Sequence, residues 1–175
     1  MEEKEWIESD IYDDDTEDQS PGIFHFENDE DYFETVEYNF AGIPMIRVRH
    51  QGDYPTSTGL AVWAGAEVGC RHLLKHPHVV ADKKVLELGS GSGLCGIVAH
   101  YLGASKVLWT DGDQSVLKNL RYNIGLNNLC GEQQMPDDIC VQLIWGHGLE
   151  KALTTFGKQD VIVACDCVYM SKSLK

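Results

Sequence analysis

Glu87-Leu-Gly89-Ser-Gly91-Ser-Gly93-Leu-Cys-Gly96, entered from Lys84-Val-Leu and left through Ile97-Val-Ala, decides the fold of this chain. An apolar run of strand length leads into a glycine-rich turn, and a second apolar run, long enough for a helix, follows it. Glycines at such a junction accept positive φ and let the backbone come close to a ligand. The first turn of the following helix offers N–H groups that have no partner within the helix.

Working outward, strands and helices alternate. Lys84-Val-Leu-Glu-Leu reads as a buried strand, Leu94–Tyr101 as a helix ended by Gly103, and Lys106-Val-Leu-Trp-Thr as a second strand. Ser115–Leu126 reads as a helix capped by Asp113 or Ser115, Ile139–Trp145 as a third strand, Leu149–Phe156 as a short helix and Asp160–Cys165 as a fourth strand. Such alternation predicts right-handed βαβ units and an α/β, Rossmann-like, mostly parallel sheet with helices on both faces. Upstream, Phe33-Glu-Thr-Val-Glu-Tyr-Asn-Phe and Met45-Ile-Arg-Val-Arg-His alternate on either side of Ala41-Gly-Ile-Pro44, which predicts an antiparallel β-hairpin. Thr58–Lys75 carries apolar residues at helical spacing and stops before Pro77. The expected organisation is an acidic tail over 1–22 and one domain over 23–175, with hairpin and helix in 33–76 and a ligand-binding core in 83–175.

The chain has 175 residues and a formal net charge of −14, unevenly placed. Residues 1–38 hold 16 acidic side chains against Lys4 alone, a balance of −15, and the remainder carries a balance of +1. This excludes a uniformly acidic surface and a basic nucleic-acid footprint of the usual kind. The segment around Asp13-Asp-Asp15 is too poor in apolar groups to offset chain entropy and is expected to be a disordered tail, although Trp6, Ile7, Phe24 and Phe26 could dock on the domain or a partner. No apolar run approaches the roughly 20 residues that span a bilayer, and Met-Glu-Glu-Lys-Glu has neither the basic nor the apolar region of a secretion signal. The expectation is a monomer in the cytoplasm, also in the nucleus, with no membrane or nucleic-acid partner. The six Cys then read as thiols, and the lone Cys165-x-Cys167 lacks the second pair that a zinc site requires, so no metal is expected.

The glycine loop with Asp111 at the end of the next strand suits an adenosine-containing cofactor. Gly91-Ser-Gly93-Leu-Cys-Gly96 satisfies the dinucleotide fingerprint with Asp111 about twenty residues on, so an NAD(P) oxidoreductase is one reading. S-adenosylmethionine is the other. Glu87, two residues before the first glycine, could hydrogen-bond near the amino-acid end of a small cofactor but would repel a pyrophosphate. A hairpin and a helix also precede the nucleotide unit, and no nicotinamide site is recognisable. A third possibility is that the glycines serve only helix–strand packing.

Val85–Ala99, then Thr110-Asp111, then Asn119-Leu-Arg-Tyr-Asn123 resemble the seven-β-strand (class I) S-adenosylmethionine methyltransferases. Gly59-Leu-Ala-Val-Trp63, Leu143-Ile-Trp145-Gly and Asp166-Cys-Val-Tyr169 narrow the resemblance to the methyltransferase-like 21 group, which largely methylates lysines of non-histone proteins. The resemblance implies that Gly89, Ser90, Gly91 and Gly93 wrap the cofactor and that Asp111 holds the ribose hydroxyls. Trp63 and Trp145 would contact the cofactor, although either could be an ordinary core aromatic, and Cys165 would line the cofactor pocket. Asp166 and Tyr169 would face the substrate amine as the catalytic pair. The family fold continues through a fifth strand and a terminal antiparallel pair, so the chain reads as C-terminally truncated. Its partner would be a protein substrate, and a basic one could be attracted by the acidic arm. Transfer to histidine or to a small molecule, or a non-catalytic binding module, are the competing expectations.

Overall fold

The computed structural model describes residues 33–52, 55–130, 139–147, 150, 154 and 157–167. The expected tail and its aromatic residues, Tyr169, and most of the expected helix over Leu149–Phe156 lie outside them. Glu150 and Thr154 are helical, and the Thr154 hydroxyl donates to the Glu150 carbonyl at 2.7 Å.

Two strands, β1 (Phe33–Tyr38) and β2 (Ile46–Gln51), pair antiparallel from Phe33↔Gln51 to Tyr38↔Ile46. After a 3-10 turn at Thr58–Leu60 come α1 (Ala64–Lys75), a second 3-10 turn at Pro77–Val79, β3 (Lys84–Leu88), α2 (Leu94–Tyr101), β4 (Lys106–Asp111), α3 (Gln114–Leu126), β5 (Cys140–Gln142) and β6 (Val161–Ala164). The four later strands form one parallel sheet in the order β5-β4-β3-β6. The chain steps outward from β3 to β5 and then returns past β3 to β6. The order therefore reverses between β3 and β6, the place where open α/β sheets bind ligands.

The core follows from the sequence pattern. Leu94, Cys95, Gly96, Ile97, Val98 and Ala99 of α2 are all buried, because this helix is covered by α1 as well as by the sheet. On α3, Val116, Leu117, Leu120 and Ile124 are buried at helical spacing while Tyr122 stays exposed. Asp113 caps α3, its side chain accepting from the Ser115 N–H at 2.8 Å.

Two expectations are corrected. The helix expected from Thr58 is broken, because Trp63 is extended (φ −94°, ψ 153°) and stands as the N-cap of α1. The third strand is three residues long rather than seven. The backbone leaves the sheet at Leu143, where Ile144 and Trp145 are exposed and Gly146 turns at φ 80°.

Hydrophobic pattern alone does not show how the hairpin attaches. Asn123 accepts from the Arg49 N–H at 2.8 Å and returns a hydrogen bond to the Arg49 carbonyl at 3.0 Å. One helical turn on, Asn127 does the same for Arg47, at 2.9 and 2.7 Å. Side-chain amides on α3 thus stand in for a neighbouring strand along β2, satisfying backbone groups that would otherwise be an open edge. The Arg49 guanidinium lies 3.8 Å from the Tyr122 ring centroid, adding a cation–π contact to the same joint.

Candidate cofactor and substrate cleft

The loop after β3 is fixed to β4 before any ligand is considered. The Ser90 N–H donates to the Thr110 carbonyl at 2.8 Å, and the Thr110 N–H donates to Ser90 Oγ at 3.0 Å. The Thr110 hydroxyl donates to the Glu87 carbonyl at 2.7 Å. With the loop so held, Gly89 and Gly91 adopt φ of 58° and 52°, which only glycine takes without strain. A Cβ on Gly91 would also stand 3.1 Å from the Gly59 carbonyl oxygen, so a side chain there would crowd the backbone of the facing segment.

A cleft of about 600 Å³ opens above this loop, at the C-terminal ends of β3, β4 and β6. Gly89, Ser90, Gly91, Asp111, Trp63, Trp145, Cys165 and Asp166 all line it. Glu87 and Gly93 do not: they lie behind its wall. Gly93 packs beneath Leu120, and Gly96 next along α2 leaves room for Trp109 and the Glu87 carboxyl. The glycines therefore divide their work. Gly89 and Gly91 open the cleft, whereas Gly93 leaves room for Leu120 of α3 and Gly96 lets α2 approach the sheet.

Asp111 is held by two backbone amides. Its Oδ2 accepts from the Gly91 N–H at 3.1 Å and its Oδ1 from the Asp113 N–H at 3.0 Å. Burial raises its pKa above the usual carboxylate value, and these amide donors counter part of the rise. Sequence reasoning treated Asp113 only as a cap, yet it also lines the cleft and accepts from the Ser57 hydroxyl at 2.7 Å. That hydroxyl, then Ser115, holds its carboxyl below the usual range. The signal was the Asp111-x-Asp113 spacing, which puts two carboxylates at one strand end.

The tryptophans separate by burial. Trp109 is 1% exposed and belongs to the core. Trp63 and Trp145 are 50% and 41% exposed on the cleft, which sets aside their reading as core aromatics. The Trp63 indole N–H donates to the Thr58 carbonyl at 2.8 Å, fixing the ring at the start of α1.

Asp166 is exposed and sits at φ 55°, a left-handed conformation that Asp tolerates better than most residues. Its Oδ2 accepts from the Gly65 N–H, in the first turn of α1, at 2.6 Å. A Cβ on Gly65 would collide with this carboxylate. Sequence reasoning missed Gly65, and its only trace was a glycine in the first turn of a helix, where it has no local purpose. Beside Asp166, Cys165 seats its thiol against Gly69, and a hydrogen bond to Cys95 followed by burial pushes that thiol's pKa up. Cys167, which also lines the cleft, donates from its thiol to the Leu88 carbonyl at 2.9 Å, and burial pushes it to about 11. These thiols are neutral packing groups near neutral pH.

Comparison with known proteins agrees with this geometry. Residues 44–175 match the family model described as lysine methyltransferase. The chain is 32% identical over 141 residues to the protein N-terminal and lysine N-methyltransferase EFM7 of Kluyveromyces lactis, covering 71% of this chain and 52% of that protein. It is 38% identical over 136 residues to the protein-lysine methyltransferase METTL21E of Bos taurus, covering 75% of this chain and 44% of that protein. The chain thus spans about half the length, or less, of these relatives. Among solved structures it resembles the T. thermophilus 16S rRNA N2 G1207 methyltransferase RsmC, in complex with AdoMet and guanosine, with a TM-score of 0.54, 20% identity, and coverage of 80% of this chain and 34% of that one. It also resembles SMU.776, a putative methyltransferase complexed with SAH, with a TM-score of 0.53, 16% identity, and coverage of 74% and 31%. At these identities the structures speak for the fold alone. The family match sets aside the dinucleotide reading of Gly91–Gly96. Parallel sheet, glycine loop and the match over residues 44–175 agree: the chain belongs to the lysine methyltransferase family.

Proposed function

We propose that this protein is an S-adenosylmethionine-dependent methyltransferase that modifies a lysine side chain of a protein substrate. The observation that carries the reading is one cleft in which Asp111 and the glycine loop lie on one side and the exposed Asp166 on the other. The residues present fit that cofactor. Gly91 leaves backbone where a Cβ would meet the Gly59 carbonyl, Asp111 offers carboxylate oxygens suited to a ribose diol, and Trp63 and Trp145 offer half-exposed aromatic faces.

Bound S-adenosylmethionine supplies an electrophilic methyl group on a positively charged sulfur. The chain's part is alignment and exclusion of water, since displacement at carbon requires nucleophile and leaving group in line. A free lysine, with pKa ~10.4, is almost wholly protonated at neutral pH and has no lone pair to attack with. Asp166 accepts hydrogen bonds from the incoming nitrogen and orients it, and the apolar surroundings of Cys165 and Trp63 favour the neutral amine. Tyr169, outside the described residues, is assigned by family resemblance to shape the amine channel.

The protein works as a monomer in the cytoplasm, also in the nucleus, on a basic protein surface and without a nucleic-acid partner. Sedimentation of the chain and fractionation of cells check these points. Tritiated S-adenosylmethionine, incubated with the protein and a hypomethylated protein extract, should yield methyl-lysine on acid hydrolysis. Methyl-histidine alone, or label only in small molecules, would overturn the acceptor. Failure of S-adenosylhomocysteine to bind in a calorimetric titration would overturn the cofactor.

A further inference from the structure

Glu87 lies on β3 between Trp109 of β4 and Val163 of β6 and is 4% exposed. Its Oε2 is buried with no hydrogen-bond partner, in space left by Gly96, where a Cβ would come within 2.7 Å. The groups that face it are Asp111 from β4, Cys165 and Cys167 from the end of β6, Cys95 from α2 and Ser90 from the loop. Each of these is acidic or neutral. Four of the five, namely Ser90, Asp111, Cys165 and Cys167, also line the cleft, so the carboxyl sits one side chain behind its wall. A buried carboxylate without a cation nearby costs several kcal/mol by desolvation, and taking up a proton avoids that cost.

We propose that Glu87 is the charge-compensating group behind this cleft, protonated while no cation is bound and ionised when the cationic cofactor enters, so that cofactor binding releases a proton to solvent. The proposal rests on the reading of the cleft as an S-adenosylmethionine site. Burial pushes the Glu87 carboxyl up to about 8, with the nearby Ser90 hydroxyl and Gly96 amide countering part of the rise and Cys165 and Asp111 adding to it. Methyl transfer removes the sulfonium charge, since S-adenosylhomocysteine carries one positive charge fewer than S-adenosylmethionine. Glu87 regains its proton at that point, which weakens the hold on the product relative to the cofactor. Glu87 here acts through the field behind the wall rather than by touching the reacting atoms, and is a positioning residue.

The sign follows from linkage. A carboxyl protonated in the free protein and ionised in the complex makes affinity rise with pH, by at most ~tenfold per pH unit, until the free carboxyl itself ionises near pH 8. The test is calorimetric titration of wild type and Glu87→Gln with S-adenosylmethionine and with S-adenosylhomocysteine, from pH 6 to 9. Phosphate and Tris buffers, which differ in ionisation enthalpy, give the number of protons released. Wild type should release close to one proton more than Glu87→Gln on binding S-adenosylmethionine at pH 7, with the excess vanishing above pH 9. The affinity of wild type should rise from pH 6 to 8 more steeply than that of the variant. Ionisation of the cofactor's own amino group is common to the two proteins. Equal proton counts and parallel pH profiles would overturn the assignment. If Glu87→Gln does not fold, wild type decides: equal proton counts for the two ligands, one charge apart, overturn it equally. Absence of binding by either ligand would instead remove the cofactor reading on which the proposal stands.

Discussion

Asp111 and Asp166 are carboxylates on opposite sides of one cleft, held in contrasting ways. Asp111 is largely buried and fixed by two backbone amides, the farther only 20 residues away in sequence. Asp166 is exposed, sits in a left-handed conformation, and is held by one described hydrogen bond, from an amide 101 residues earlier. The first arrangement is rigid and local, as a fixed cofactor subsite requires. The second can yield when a substrate nitrogen offers better hydrogen bonds, as an orienting group requires. One side of the cleft is therefore rigidly held and the other free to yield.

The rigid side should break most completely. Gly91→Val forces a β-branched residue to φ near 52° and drives its side chain at the Gly59 carbonyl. Strain of about 1–3 kcal/mol, with the loop displaced from Asp111, should reduce S-adenosylhomocysteine affinity by about a hundredfold or more, measured by calorimetry. Retention of wild-type affinity would mean that the loop is not the cofactor cradle.

On the yielding side the two functions should separate. Asp166→Ala should lower methyl transfer by ~100-fold or more, as expected for loss of an acid–base or orienting group, while changing S-adenosylhomocysteine affinity only a few-fold. Loss of the carboxylate at the start of α1 should also cost about 1 kcal/mol of stability, readable as a lower thermal midpoint. Normal transfer by this variant would remove Asp166 from the reaction. Gly65→Ala sharpens the distinction. Its methyl group displaces the Asp166 carboxylate from the amide, yet alanine is the better helix former by up to about 1 kcal/mol. Transfer should fall several-fold with little change in thermal midpoint, a combination that general destabilisation does not produce. An equal fall in both would mark Gly65 as merely structural.

The same contrast explains what could be read from the sequence. Strand, glycine loop, helix and Asp111 lie within thirty residues and signal one another through spacing, so the loop, α2 with its ends at Leu94 and Tyr101, and β4 were all legible. The start of α1 was not, because Trp63 is extended for the sake of a cleft assembled from distant segments. The asparagines at 119 and 123 were legible as a resemblance, but their work as a surrogate strand depends on β2, some 70 residues away. Gly65 showed only as a glycine in the first turn of a helix, with no local reason for it. Its reason is Asp166, and only the folded chain brings the two together.

The smallest effect expected is that of the acidic arm. Residues 1–22 hold ten acidic side chains against Lys4 alone, a balance of −9, a concentrated negative charge whose field acts at long range. For a basic substrate protein this field raises the encounter rate without altering chemistry inside the cleft. Deleting residues 1–22 should therefore raise KM a few-fold at low ionic strength and leave kcat unchanged. In ~1 M salt, where the screening length falls to about 3 Å, the two proteins should be indistinguishable. A change in kcat, or one that persists in high salt, would instead mean that the arm touches the cleft, because contact within a site survives screening and steering does not.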